Sequence, residues 1–225
     1  MTRTSNALPA AHRFITIEGG EGVGKSSALQ HLNAVLRGLQ IKDYVITREP
    51  GGTPLGESVR DILLRQRQGE PITDAAELLL LFAARAQHVS QVIRPALERG
   101  AFVICDRFVD STYAYQGAAE ATAPDTIAQL EARFVGFRPG LTLLLDAPVE
   151  VSRQRLANRA ALDRIESRTD AYFNAVREAF LRRAESEPDR IKVIRAERSP
   201  QLVQWQVQAC LLEYLSSIET KPLLD

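Results

Sequence analysis

Five short apolar runs punctuate the chain, separated by segments whose apolar positions recur with a helical period. The first run, Phe14-Ile15-Thr16-Ile17, is followed after a glycine-rich stretch by Leu29, Leu32, Val35, Leu36 and Leu39, the spacing of one buried helix face. Tyr44-Val45-Ile46-Thr47 predicts a second strand. Pro50, Gly51 and Gly52 mark residues 48–53 as a loop, and the helical pattern resumes over residues 55–67. A long helix is predicted over residues 74–99, capped by Thr73 or Asp74 and stopped by Gly100, with a kink expected at Pro95. Ala101-Phe102-Val103-Ile104-Cys105 and Leu141-Thr142-Leu143-Leu144-Leu145 read as strands buried on both faces, and Ile191-Lys192-Val193-Ile194 as the fifth. Helices between such strands make βαβ units. The fold class is therefore α/β, a five-stranded parallel sheet flanked by helices, with ligands gathered outside the strand carboxyl ends.

Composition narrows the class. At 225 residues and 45% apolar content the chain fits one domain, taken as residues 13–220, behind a loose, dispensable tail of residues 1–12. Basic and acidic residues balance at 28 each, so no global field recruits nucleic acid or an anionic membrane, and neither is expected as a partner. Cys105 and Cys210 lack metal-ligand spacing and lie far apart, which fits a reduced chain. No apolar run approaches membrane-spanning length and no secretory signal opens the sequence, so a cytoplasmic location is expected.

The chemistry concentrates in Gly19-Gly20-Glu21-Gly22-Val23-Gly24-Lys25-Ser26-Ser27, which holds a complete G-x-x-x-x-G-K-[ST] signature between a strand and a helix and makes the sheet one of P-loop NTPase type. Glycines let successive N–H groups turn inward, and the following helix points its positive end at the same spot, so an ATP phosphate chain can be cradled there. Lys25 is expected to be solvated until phosphates arrive and then to reach the β- and γ-phosphates. The Ser26 hydroxyl would complete the coordination of Mg²⁺. Arg48 and Glu49 follow the second strand, and Asp106 and Arg107 the third, so all should converge on the cradle. Residues 153–168 hold arginines 153, 155, 159, 164 and 168. Singly these read as a solvated helix face with i,i+4 pairs; together they suggest a lid that closes over a triphosphate.

The P-loop with Glu21 inside it, Arg48-Glu49-Pro50-Gly51-Gly52-Thr53, Phe82-Ala83-Ala84-Arg85, Asp106-Arg107-Phe108, Ala114-Tyr115-Gln116-Gly117 and Leu162-Asp163-Arg164-Ile165-Glu166 strongly resemble bacterial thymidylate kinases, from Phe14 to about residue 215. The resemblance implies phosphoryl transfer from ATP·Mg²⁺ to dTMP, giving dTDP and ADP for dTTP synthesis, by a homodimer. Apolar residues around 78–89 and 128–135 also speak for the dimer. By the same resemblance Arg48 and Arg107 hold the acceptor monophosphate, with Glu49 in the same loop, and Asp106 helps hold the metal through water. Arg85 bonds the thymine ring, Thr112 and Gln116 lie near the base, and Tyr115 stands where a ribose 2′-OH would be. Glu21 marks the form whose catalytic arginine comes from the lid, with Arg159 as the first candidate and Arg164 as the second. Arg153 is taken to face away. In many members an aromatic stacks on thymine four residues before the arginine, a place held here by Leu81, with Phe82 three before. Either Phe82 stacks, or it is core and Leu81 covers the base. Glycines and an arginine usual after Gly117 are missing, and Ala160 stands where a lid glycine is usual.

The acceptor is already an anion at neutral pH, so catalysis should rest on in-line positioning and charge neutralisation by Lys25, Arg107 and the lid arginines. Another nucleoside monophosphate kinase is the near rival. A P-loop switch that binds DNA or a partner is the rival from a different class, weakened by the balanced charge and by the lack of an Asn-Lys-x-Asp motif.

Overall fold

The computed structural model describes residues 10–65, 71–119, 122–157 and 163–219. Its strands are β1 (Ala10–Glu18), β2 (Tyr44–Arg48), β3 (Phe102–Asp106), β4 (Arg138–Asp146) and β5 (Ile191–Arg195). They lie in the order β2-β3-β1-β4-β5, each neighbouring pair parallel. Alternation along the strands builds two cores. Ile15, Ile17, Phe102, Ile104, Leu141 and Leu143 pack beneath α1 (Lys25–Gly38) and the C-terminal helix. Phe14, Val103 and Cys105 point to the opposite face. On that face Thr16 and Thr142, opposite each other in the register, share a 2.8 Å hydroxyl contact, and Arg190 donates to Thr142 Oγ1.

Two strands run longer than the apolar runs suggest. β1 starts at Ala10, taking residues 10–12 out of the expected tail, and β4 starts at Arg138 rather than Leu141. Ala10 and Ala11 pair with Arg138 and Pro139, and the Tyr214 hydroxyl donates to the His12 carbonyl. A neighbouring strand rewards backbone pairing whatever the side chains, which composition does not reveal.

The next helices are α2 (Pro54–Leu64), N-capped by Thr53, and α3 (Asp74–His88), N-capped by Thr73. The single helix expected over residues 74–99 is instead α3, a π-helical turn over Val89–Ile93, and α4 (Arg94–Glu98). The Arg94 N–H donates five residues back to the Val89 carbonyl, and the widened turn lies just ahead of Pro95, which has no N–H to give. Gly100 stops the run with φ of 83°, as expected. After β3 come the short α5 (Val109–Thr112), a second π-helical segment over Tyr113–Ala119, and α6 (Pro124–Phe134). Then α7 (Val149–Leu156) and α8 (Asp170–Ser186) precede β5, and α9 (Pro200–Glu219) closes the described chain. Asp110 of α5 is buried between Arg183 of α8 and Arg190, and those two guanidinium groups hold its carboxyl well below the usual range although burial alone would raise it. That network anchors the segment behind Arg107 to the sheet. No helix among the described residues is long and apolar enough to cross a membrane.

Candidate active site

The central position of β1 puts the glycine-rich loop at the middle of the sheet's carboxyl edge, with β3 and β2 beside it. Gly19 and Gly24 have φ of 135° and 98°, and a Cβ on Gly19 would run into the Leu145 carbonyl, so the tight approach of loop to β4 needs glycine there. The α1 helix starts at Lys25, with Ser26 and Ser27 exposed at its first turn. Lys25 itself is not solvated as expected. Only 9% exposed, its ammonium donates to the Gly20 carbonyl at 2.6 Å and the Gly19 carbonyl at 3.2 Å, so two carbonyls of its own loop hold it. Burial, aided by the Arg107 charge, lowers its pKa from 10.5 to about 8.

Arg107 ties the loop to β3. Its backbone is left-handed, with φ of 67°, and its N–H donates to the Ile17 carbonyl. A non-glycine residue in this region is strained and needs surrounding contacts to keep it there. Glu18 supplies them: 1% exposed, it accepts from the Phe108 N–H at 2.7 Å and the Ser111 hydroxyl at 2.6 Å, bracketing the turn. Burial first, and then the nearby Asp110 charge, push the Glu18 pKa up to about 7. The Arg107 fork donates from Nη1 to the Gly19 carbonyl and Ser111 Oγ, and from Nη2 to Glu21 Oε1 at 2.5 Å and the Tyr115 hydroxyl at 3.2 Å. The Tyr115 hydroxyl donates in turn to Glu21. Burial pushes this phenol's pKa well above its usual value, which keeps it neutral and a donor.

Beside the cradle lies a cavity of about 470 Å³. Its lining includes Lys25 and Ser26, the mutually close Arg48, Arg60 and Arg107, and Leu81, Arg85, Thr112 and Gln116. Arg48 makes a fork-to-fork pair with Glu57. Arg60 donates to the Pro50 carbonyl, and burial together with the Arg48 and Arg107 charges weakens its hold on its proton. Three guanidinium groups this close together suit a dianionic phosphate.

Arg85 is 3% exposed and pinned. Nε donates to Glu49 at 2.7 Å, Nη1 to Thr112 at 3.1 Å, and Nη2 to the Phe108 carbonyl, while its plane lies 4.9 Å from the Phe82 ring centre. Glu49, expected on the substrate side, lines the cavity and is 4% exposed, bonded to Arg85 and to His88 Nδ1 at 2.9 Å. Phe82 packs in the core with Phe108 and Ile93, and Leu81 lines the cavity. Of the two residues weighed for covering the base, Leu81 is therefore the one on the cavity and Phe82 the one in the core: one residue further along a helix is a rotation of about 100°.

The arginine-rich segment divides. Arg159 lies outside the described residues. Arg153 is bonded to the turn that follows its own helix. It donates to Asp170, to the Glu166 carbonyl at 2.9 Å and to the Arg168 carbonyl, so a side chain read as solvated staples α7 to the turn before α8. In that turn Asp163 Oδ1 accepts from the N–H groups of Ile165 and Glu166, and Glu166 Oε2 accepts from the Asp163 N–H, a reciprocal box. Arg164 lines the cavity and is bonded across its wall, with Nε on the Leu63 carbonyl at 2.7 Å and Nη2 on Glu77. Glu18, Arg60 and Glu77 are the site residues that sequence reasoning missed. Only Glu18 left a signal, a carboxylate directly after the run Phe14-Ile15-Thr16-Ile17.

The chain matches the family model for thymidylate kinase over residues 17–207. It is 51% identical over 209 residues to the thymidylate kinase of Chromohalobacter salexigens, covering 91% of this chain and 97% of that protein. Against the thymidylate kinase of Pseudomonas putida strain GB-1 the identity is 52% over 200 residues, 88% of this chain and 94% of that one. The crystal structure of thymidylate kinase from Ehrlichia chaffeensis aligns with a TM-score of 0.71 at 32% identity, covering 88% of this chain and 97% of the other.

Proposed function

This chain belongs to the thymidylate kinase family and so phosphorylates dTMP at the expense of ATP, and we propose that the P-loop holds the ATP phosphates while the adjoining cavity holds dTMP, with Arg107 spanning the two. The observation that carries this division is the position of the Arg107 fork, bonded to the P-loop at Gly19 and Glu21 and to the cavity wall at Ser111 and Tyr115. Arg48 and Arg60 receive the acceptor phosphate, and Leu81, Arg85 and Gln116 receive the base. The acceptor oxygen is anionic, so no side chain need remove a proton. Lys25 and Arg107 neutralise charge on the transferring group and hold donor and acceptor in line. Glu21, now on Arg107, is positioned to release that cation to phosphate oxygens.

The residues present fit Mg²⁺. Asp106 Oδ1 is buried with no hydrogen-bond partner among the described residues, at the strand end beside the cradle, and Ser26 offers its hydroxyl at the first turn of α1. Mg²⁺ usually keeps several waters and leans on substrate phosphates, so one or two protein oxygens are enough to hold it. Bound there, the ion would neutralise β- and γ-phosphate charge; Ser26 would bond it directly and Asp106 through water.

Tyr115 provides the test of where the sugar lies. Its ring is 6% exposed, wedged against Tyr172 and Phe180, so it is a fixed obstacle. Tyr115→Phe should keep the preference for dTMP over the ribonucleotide, and Tyr115→Ala should narrow it. Steady-state kcat/KM for the two acceptors measures this; unchanged discrimination in the alanine variant removes Tyr115 from the sugar site.

A homodimer is supported by Leu79 of α3 and Phe134 of α6, 60% and 47% exposed on helices that pack together. Sedimentation at micromolar concentration should give twice the 24.9 kDa chain mass, and a monomer would refute the pairing. The two free cysteines accord with a cytoplasmic site of action.

A further inference from the structure

Gln116 rests on a buried carboxylate for which the phosphoryl transfer itself has no use. Glu77 of α3, 4% exposed, accepts from Gln116 Nε2 at 2.9 Å and from Arg164 Nη2. Arg164 is fixed a second time by the Leu63 carbonyl, and its own N–H donates to the Leu64 carbonyl. As the carboxylate partner of a guanidinium, Glu77 offers lone pairs only, so the Gln116 amide can meet it only through its NH₂ group. That contact selects one of the two amide orientations. It leaves Oε1, to which no protein group donates among the described residues, as the edge offered to a ligand in the cavity that Gln116 lines. Pyrimidines differ at ring position 3: thymine carries an N–H there, and cytosine a bare lone pair. An amide fixed with its carbonyl outward accepts from the first and opposes the second.

We propose that Glu77 is the specificity-determining positioning residue of the acceptor pocket: it locks the Gln116 amide so that a pyrimidine with N–H at position 3 is accepted and a cytosine ring rejected. Through Arg164 the same carboxylate ties the 163–166 turn to the pocket wall. The proposal rests on the placement of the acceptor base beside Gln116.

The test compares kcat/KM for dTMP and dCMP, with ATP saturating, in the wild type and in E77Q, E77D, Q116A and R164M. Glutamine at 77 can donate as well as accept, which frees the amide to turn. E77Q should therefore narrow the dTMP-to-dCMP ratio by about tenfold or more, since a site built to pair a substrate N–H owes its discrimination to groups left unpaired by the wrong ligand. The KM for ATP should stay as in the wild type. E77D keeps an acceptor and should retain the ratio; R164M should retain it as well, whatever its kcat. Q116A should narrow it. A wild-type ratio in E77Q alongside a narrowed one in Q116A overturns the proposal alone. Equal narrowing in R164M also overturns it, because the ratio would then follow the ion pair and not the amide. A wild-type ratio in Q116A overturns the placement of the base on which the proposal rests.

Discussion

Lys25→Met should lower kcat by about 10²–10³-fold or more while leaving the fold at least as stable as the parent. The kinetic loss follows from removing the charge that the P-loop presents to the transferring phosphoryl group. The stability expectation follows from the burial of the ammonium, which lowers its pKa from 10.5 to about 8. The sign follows from proton binding. Between pH 8 and pH 10.5 the unfolded chain binds the lysine proton more fully than the folded one, so this group's contribution to stability rises with pH across that window. Below pH 8 the full cost of burying the ammonium is carried by the folded state. Methionine removes it, and the melting temperature of the variant at pH 7 should match or exceed that of the parent, with the gap closing as pH approaches 10.5. A clear loss of stability at pH 7 would mean that the two carbonyl contacts of Lys25 outweigh its desolvation.

Glu49→Ala should be the most destabilising single change at the site. It leaves the Arg85 guanidinium, 3% exposed, without its carboxylate, and takes a partner from His88, which is fully buried. Removing one member of a buried ion pair costs about 3–5 kcal/mol, the strain of an uncompensated charge far outweighing the contact itself. For a chain of this size that corresponds to a fall of roughly 6–20 °C in melting temperature. Denaturant unfolding with unchanged m-value measures it. A shift within about 0.5 kcal/mol would show that Arg85 finds other acceptors or water, and that Glu49 does not hold it.

What the sequence made legible was whatever is contiguous. The strands announce themselves because a buried strand is a local apolar run, and the cradle because Gly19 to Ser26 must be adjacent to turn the backbone around an anion. The partnerships across the fold were out of reach. Glu49 and Arg85 are 36 positions apart, Glu77 and Arg164 are 87, and no local pattern couples them. Leu81 and Phe82 show the limit on a single helix. Within the apolar run 78–84 either residue could face the cavity, and only the packing of α3 against its neighbours sets the rotation. The π-helical turn before Pro95 was hidden for a similar reason, since the residue that forces it lies beyond the turn it widens. Arg153 looked like one more surface arginine because its acceptors at residues 166 and 168 are backbone carbonyls, which carry no sequence signature.

ADP release measured against a panel of nucleoside monophosphates, with ATP and Mg²⁺ held saturating, tests the central claim most directly. The arrangement of Arg48, Arg60 and Arg107 around the phosphate corner, with Leu81, Arg85 and Gln116 at the base end, predicts that dTMP gives the highest kcat/KM and that release without an acceptor is negligible. A different monophosphate turned over more efficiently, or ADP formed equally fast with no acceptor present, would contradict it.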